Sequence, residues 1–385
     1  MLNKSNNPTV QHQGNGKPAG EVLKKHPATA TATGSGRGGN PTIRQVAASS
    51  GVSIATVSAV INGTRYVSAD TAARVNAAIA ATGYRPNRLA RGLSSSRTRT
   101  VGILMPTILS PTAPLLLKSA ADALHAHGFS VMFSNTEMRA SWEREATEFM
   151  FDSQVDGLLT VPATGDSSAL ELFSRARKPV VLMLHGIKDN TMYDVVRSGN
   201  FKGSFDAVSH LIDQGSTRIA LLALPPDTLS ETERIDGYKT ALMAAGMTPE
   251  PELIQVGAPS ESGLSERDGF DLTRKLMELP APPNAIFAMN QYMAIGCLAA
   301  LKELRLRVPE DIAVVGYDDL IWTKHLQPAL STVSQQIEEI GRLAAERLIH
   351  RLNDEEDPVA ATSVTVDTKL IIRASSDRHR ELHRQ

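Results

Sequence analysis

Apolar positions along this chain change their period near residue 100. Between Thr42 and Gly83 they recur three and four apart, the spacing of short amphipathic helices. Ile43, Val46 and Ala47 share one face, with Thr42 at the N-cap and Gln45 three residues on, a capping-box spacing. Gly51 breaks that helix, and Ser53 is placed to cap a second one over 54–61, which Asn62-Gly63 ends. Ser68 caps a third, with Ala72, Val75 and Ile79 spaced for burial and Gly83 as its stop. Pro86 opens a short fourth segment over 87–93, and a Ser/Thr/Arg linker follows. From Val101 the pattern becomes apolar runs alternating with amphipathic stretches. It predicts strands at 101–105, 129–134, 157–161, 180–184, 218–223, 285–289 and 312–315, and helices at 114–127, 141–153, 202–214, 232–245, 266–279, 291–304 and 335–352. Such alternation builds a doubly wound, mostly parallel α/β sheet. The stretch is too long for one small sheet, so two α/β lobes with a cleft between them are expected, and a cleft of that kind suits a ligand.

Charge sharpens this division. The 385 residues carry a net −1, yet residues 1–40 hold +4 and residues 41–99 hold +7, with eight Arg and only Asp70 against them, which leaves −12 for the remainder. A compact basic segment on an acidic body is the footprint of a part that meets nucleic acid. Residues 1–40 are rich in Gly, Asn, Thr and Pro and show no apolar period, which predicts a disordered tail. Gly34, Gly36 and Gly39 match a dinucleotide-binding spacing, but no strand precedes them and no helix follows. One cysteine, Cys297, excludes an intramolecular disulfide and fits a reducing cytoplasm. No apolar run approaches the ~20 residues of a membrane span, so no membrane partner is expected.

Helix, glycine turn and helix within 42–62 form a helix-turn-helix pattern, whose second helix enters the major groove. The segment 87–93 is too short to be a stable helix alone, and Gly92 weakens it further, so folding on DNA is expected. An enzyme is the rival class. Asp318-Asp319 and His125-x-His127 are its best features, but adjacent acids do not define a reacting pair and two histidines complete no metal site. No catalytic residue, cofactor or metal is expected.

The run from Thr42 through Gly63, then Tyr66-Val-Ser68 and Gly83 through Leu93, resembles the DNA-binding domain of the lac repressor (LacI) family, and Val314 through Asp319 and Leu330 through Val333 look like its C-terminal signatures. The resemblance implies a cytoplasmic, homodimeric regulator, most simply a repressor, that binds palindromic double-stranded DNA. Its organisation would be a helix-turn-helix domain over 41–85, a hinge and linker over 86–99, a two-lobed effector and dimerisation domain over 100–373 and a tail over 374–385. It assigns Ser53, Thr56 and Ser58 to phosphates or the groove edge, and Ile54, Ala55 and Ala59 to bases. Thr42, Arg65, Asn87, Arg88 and Arg91 join the DNA contacts. Leu93 matches the leucine that wedges into the minor groove where two hinges meet. Ile54 also suits helix packing, and Leu93 a contact with the core domain.

In the α/β part the same resemblance, to the type I periplasmic-binding-protein fold, implies that Arg234, Asn290 and Asp318 contact a small-molecule effector, a sugar or sugar acid by family habit. Arg234 also suits an exposed helix position, and Asp318 a turn cap. The chain departs from the family pattern at Ser110-Pro-Thr-Ala113, where two aromatic rings are often found, at Gln291, and near Leu264. Trp322 and Phe287 are candidate replacements for the missing rings. The alternative is a DNA-binding architectural regulator that takes no effector.

Overall fold

The computed structural model describes residues 41–85, 97–163, 167–187, 190–226, 228–258, 266–353 and 360–378. The expected tail 1–40 and the hinge positions Asn87, Arg88, Arg91 and Leu93 lie outside them, as does Leu264. The chain divides into two compact units, Met1–Pro86 and Asn87–Gln385.

In the first unit, α1 (Ile43–Ser50), α2 (Ile54–Asn62) and α3 (Ala69–Thr82) pack around the fully buried Val46, Val57 and Val75. Each helix ends where the spacing predicts, at Gly51, Gly63 and Gly83, with φ of 67°, 63° and 66°. Those left-handed values favour glycine, which has no Cβ to clash.

The second unit is two lobes. Lobe 1 contains β1 (Thr100–Met105), α4 (Ala113–Ala126), β2 (Ser130–Asn135), α5 (Ala140–Asp152), β3 (Gly157–Thr160), α6 (Glu171–Arg175), β4 (Val180–Leu184) and β5 (Asp194–Ser198). Lobe 2 contains α7 (Asn200–Asp213), β6 (Ile219–Ala223), α8 (Leu229–Ala244), β7 (Ile254–Val256), α9 (Glu266–Met277), β8 (Ala285–Ala288), α10 (Gln291–Glu303), β9 (Ala313–Tyr317) and β10 (Ser331–Ser334). The chain then returns: α11 (Ile337–Asn353) and β11 (Ser363–Val366) belong to lobe 1, and β12 (Lys369–Ile371) to lobe 2. The sheets run β2-β1-β3-β4-β5-β11 and β7-β6-β8-β9-β10-β12, parallel except for β12. Each lobe has an apolar layer on both faces of its sheet, as in a doubly wound fold.

The backbone therefore crosses between lobes three times, at Gly199, at Gln335–Gln336 and at Asp367–Thr368. On the lobe 1 side α11 lies close on α4: a Cβ added at Gly341 would stand 2.7 Å from the Leu116 carbonyl oxygen. The structure moves two expected boundaries. Thr98 and Arg99 donate backbone N–H to the Asp156 carboxylate at 2.8 and 2.7 Å, so the end of the linker is bound into lobe 1. Ser375 and Ser376 are fully buried, and the Val314 N–H donates to Ser375 O at 2.8 Å, so 374–378 are part of lobe 2 and not a tail.

The return helix is anchored by charge. Asp194, 2% exposed in its side chain, accepts Nε of Arg347 at 2.9 Å and of Arg351 at 2.7 Å, and the Thr362 N–H at 2.7 Å. Burial alone would raise its pKa, but bonds from Arg351, Arg347 and Thr362 outweigh it and hold the carboxyl well below the ordinary range. Because the folded-state pKa is depressed, this contribution is complete above the unfolded value near 4 and is lost as pH falls through the folded one. Asp194→Ala strands two arginines in a partly buried site and should destabilise lobe 1 by about 3 kcal/mol or more at pH 7, read by urea unfolding. The gap between variant and wild type should narrow on acidification. A loss below 1 kcal/mol would remove Asp194 from that role.

Candidate functional site

Two sites emerge, one in each unit. In the helix-turn-helix unit, the Thr42 N–H donates to Gln45 Oε1 at 2.7 Å, which fixes the start of α1. Ser53 Oγ accepts the Thr56 N–H at 3.1 Å, which fixes the start of α2. Ser53 and Thr56 share a hydroxyl contact of 2.9 Å, and Arg65 Nη2 donates to Thr56 Oγ1 at 3.3 Å. Ser53, Thr56 and Arg65 are thus one cluster at the N-terminal end of α2, the end of a helix that favours anions. Arg44, Arg65, Arg74 and Arg85 are exposed. Ile54, 44% exposed, and Ala55 also point out. Ser58 is half-buried and its Oγ accepts Asn62 Nδ2 at 3.1 Å. Ala59 corrects the expectation. It is 3% exposed, and a methyl that short, already packed within the unit, has no reach toward base edges.

In the second unit the candidate polar residues converge at the carboxyl ends of the strands, where open α/β sheets bind ligands. Arg234, on α8, is 7% exposed. Its Nε donates to Asn200 Oδ1 at 2.9 Å, its Nη1 to Met289 O at 2.8 Å, and its guanidinium carbon lies 3.7 Å from the centroid of the Tyr317 ring. A cation over a desolvated aromatic face is held by the ring's quadrupole. Burial pushes the Tyr317 hydroxyl up to about 12, so it stays protonated and donates to Asn200 Oδ1 at 3.3 Å.

Asp318 follows β9 with a left-handed φ of 70° and accepts Gln335 Nε2 at 2.6 Å. Burial holds its carboxyl above the usual range, with Arg234 and Gln335 pulling the other way. Asn290 is the N-cap of α10, its Oδ1 accepting the Met293 N–H at 2.8 Å. Its carbonyl is therefore committed to the helix.

Several buried oxygens here make no hydrogen bond among the described residues: Thr160 Oγ1 in lobe 1, and Thr228 Oγ1, Glu231 Oε2 and Gln291 Oε1 in lobe 2. Buried polar atoms are nearly always satisfied, so each unpartnered one is a place where a ligand could supply the missing bond; Asn135 Oδ1 and the Ser198, Ser204 and Thr368 hydroxyls are unpartnered in the same way. Phe287 is fully buried in the lobe 2 core, which removes it as a ligand-facing ring; Trp322 is half-buried. No group of three or more His, Cys, Asp or Glu among the described residues is placed to hold a metal. Sequence reasoning missed Asn200, Ser230, Tyr317, His185 and Gln335. The available signal was position: His185 follows β4, Tyr317 ends β9, and Asn200 and Gln335 stand at crossings.

A helix-turn-helix unit and a separate two-lobed unit with a polar cleft define a ligand-responsive DNA-binding regulator. Comparisons agree. Residues 42–87 match the family described as bacterial regulatory proteins, lacI family, and residues 208–376 a periplasmic binding protein-like domain. The chain is 34% identical over 311 residues to the ribose operon repressor of Escherichia coli (strain K12), across 81% of this chain and 93% of that one. It is 32% identical over 336 residues to the HTH-type transcriptional repressor PurR of Haemophilus influenzae (strain PittEE), across 87% and 98%. Among solved structures, the lac repressor dimer bound to operator and the anti-inducer ONPF matches with a TM-score of 0.78 at 26% identity, over 88% of this chain and 99% of that one. A transcriptional regulator CelR–cellobiose complex matches with a TM-score of 0.66 at 30% identity, over 87% and 99%. The chain belongs to the lacI family of bacterial regulatory proteins. It is a DNA-binding transcriptional repressor controlled by a small-molecule effector.

Capping and DNA contact by Ser53 can be separated. Ser53→Ala should cost the helix-turn-helix unit about 1 kcal/mol and weaken duplex binding. Ser53→Asp keeps a cap and should restore thermal stability but not DNA affinity, because it sets a carboxylate against phosphate. Equal recovery of both would assign Ser53 to the fold alone.

Proposed function

We propose that the cleft takes a small, uncharged, hydroxyl-rich metabolite of the sugar class, and that its binding changes operator affinity by altering how the two lobes sit. The observation that carries this is the donor–acceptor balance around Arg234. Two of its nitrogens are already bonded within the protein, while Thr160, Thr228, Glu231 and Gln291 offer unpaired acceptors. A polyol satisfies such a surface; a sugar acid brings more acceptors and a charge that meets Asp318 and Glu231. The ribose operon repressor and cellobiose-bound relatives support the same class. Arg234 and Asp318 are the effector contacts, with Asn290 through its amide nitrogen.

Ser53, Ile54, Ala55, Thr56, Ser58 and Arg65 contact DNA, with Thr42 at the start of α1 and Asn87, Arg88, Arg91 and Leu93 in the hinge. The regulator is a homodimer that acts on cytoplasmic DNA and catalyses no reaction. Leu115 on α4 and Phe133 on the edge strand β2, 39% and 38% exposed, suit a subunit contact. The proposed domains are a helix-turn-helix domain over 41–85, a hinge and linker over 86–99 and an effector and dimerisation domain from 100; the buried Ser375 and Ser376 support extending it through 378.

A thermal-shift screen of D-ribose, cellobiose, other neutral sugars and sugar acids tests the effector class, and hits are then scored for release of the operator. Arg234→Ala should abolish that response while operator binding stays within about twofold of wild type. A sugar acid as the best ligand, or an unaltered response in the variant, overturns the assignment. Binding to duplex DNA should fall on the order of 10³-fold between 50 and 200 mM salt, because a dimer of this type neutralises about 6–10 phosphates. Leu93→Ala should cost about 1–3 kcal/mol of specific affinity and reduce the operator bend, with the salt slope of non-specific binding unchanged. An unbent response in both forms would remove Leu93 from the groove.

A further inference from the structure

Hydrogen-bond polarity around Arg234 can be read atom by atom. An arginine Nε–H only donates, so the Asn200 atom facing it at 2.9 Å is the amide oxygen. The Asn200 nitrogen must then be the atom that donates, to Ser198 O at 3.2 Å and to Ser230 Oγ at 3.1 Å. Ser230 Oγ accepts from Asn200 and also contacts His185 Nδ1 at 2.8 Å. Assigning the serine hydrogen to that contact makes Nδ1 the acceptor and gives a neutral ring with its proton on Nε2.

This chain runs from lobe 2 into lobe 1. Arg234 and Ser230 lie on α8, Asn200 stands at the first crossing, and His185 follows β4 of lobe 1. The ring is aimed by a tight turn: Leu184 takes a left-handed φ of 62°, and the His185 N–H donates back to Met183 O at 2.6 Å. Left-handed leucine is an uncommon conformation, held only where its surroundings demand it.

We infer that His185 is a positioning residue: as a neutral Nε2–H imidazole it ties lobe 1 to the Arg234 guanidinium through Ser230 and Asn200, and so sets the lobe separation at which the cleft meets its ligand. This rests on reading the cleft as the regulatory site. Two further side-chain ties bridge the lobes, the Arg197–Glu233 ion pair and Tyr292 Oη donating to Leu109 O at 3.0 Å, but neither reaches Arg234.

The relay depends on the protonation state of the ring. An imidazolium would turn a second N–H toward Ser230 Oγ and leave the serine hydrogen without its acceptor. The charged groups facing the ring are Glu231 and Arg234 on α8 and Asp318 after β9, with the Arg197–Glu233 pair beside Gly186. Burial lowers the His185 pKa, Glu231 and Asp318 oppose that, and Arg234 adds to it, with a net shift below 6.5. The relay is therefore complete at neutral pH and is lost as pH falls through the lowered value.

The test needs no ligand. Phe149→Cys on α5 and Met243→Cys on α8, at positions 62% and 58% exposed, carry a dye pair across the lobes, while the native Cys297 is 0% exposed and stays unlabelled. Labelled protein is diluted with excess unlabelled chain, so that energy transfer reports one protomer. At pH 8 the parent and His185→Asn should show one narrow population, because the asparagine oxygen can take the place of Nδ1. His185→Ala and Ser230→Ala should add a second population at a different separation. Stepwise acidification, carried down as far as circular dichroism shows the protein still folded, should shift the parent toward that second population and leave His185→Asn unmoved. Circular dichroism melts confirm that each variant is folded. His185→Ala matching the parent at pH 8, or His185→Asn responding to acid as the parent does, overturns the proposal. A failed sugar screen would instead sink the ligand reading and leave these distances untouched.

Discussion

One buried guanidinium organises the regulatory unit. A cation taken out of water as far as Arg234 is costly unless hydrogen bonds and an opposing charge surround it. The fold meets that demand from four places around the arginine on α8: the first crossing supplies Asn200, the end of β8 leads to Met289 O, β9 supplies the Tyr317 ring, and the turn after it supplies Asp318. Most of these groups stand at a strand end or a crossing. The site is thus a consequence of the topology, because only a chain that passes repeatedly between the lobes brings so many polar ends to one place.

Neighbouring acids show how finely that environment divides labour. Asp318 and Asp319 are adjacent in sequence, yet burial raises the first, while the second, also penalised by burial, is pulled down by Arg373, Thr332 and Thr323. Asp319 accepts Arg373 Nη1 together with the Thr323 and Thr332 hydroxyls, which ties the segment after β12 to the turn after β9 and to β10. Among the described residues Asp318 accepts Gln335 Nε2. One carboxylate is tied into the fold by three partners and the other by one, and the difference arises from which side of a single turn each occupies.

Much of this was legible in the chain. Caps and glycines at Thr42, Gly51, Ser53, Gly63, Ser68 and Gly83 mark three helices because their signals are local and need no tertiary context. Of the seven strands legible in the pattern, six are apolar and sit inside a sheet, while β2 is a half-buried edge strand. Most strands that pattern missed are short, polar or at edges: three of the four residues of Ser331–Ser334 carry hydroxyls, Ser363–Val366 lies exposed at an edge, and Ile254–Val256 and Lys369–Ile371 are three residues long. The exception is the buried, interior Asp194–Ser198, whose ends are Asp194 and Arg197-Ser198. They are strands because a neighbour pairs with them. Arg234 and Asp318 were legible from a motif, whereas Asn200, Ser230 and His185 were not, since their roles arise from a hydrogen-bond sequence spanning distant segments. Phe287 suits a pocket or a core equally well by type, and its full burial shows that packing has used it.

The buried methyl of Ala59 bears on how this repressor chooses its DNA. At the start of α2 the exposed side chains Ile54 and Ala55 have no hydrogen-bonding atoms, while Ser53, Thr56 and Arg65 cluster beside them; farther along, Ser58 is half-buried and Asn62 is exposed. Apolar contacts in the major groove can distinguish a thymine methyl but cannot form the bidentate bonds that discriminate guanine or adenine. Phosphate contacts set register and carry no sequence information of their own. On the proposed contacts, discrimination would draw on the deformability of the operator and on whatever bends it. A repressor built this way is well suited to effector control, because a readout that depends on holding DNA in a costly shape is sensitive to small changes in how its two halves are spaced. Linkage makes the relation mutual: to the extent that a ligand in the cleft weakens operator binding, the operator weakens ligand binding by the same factor.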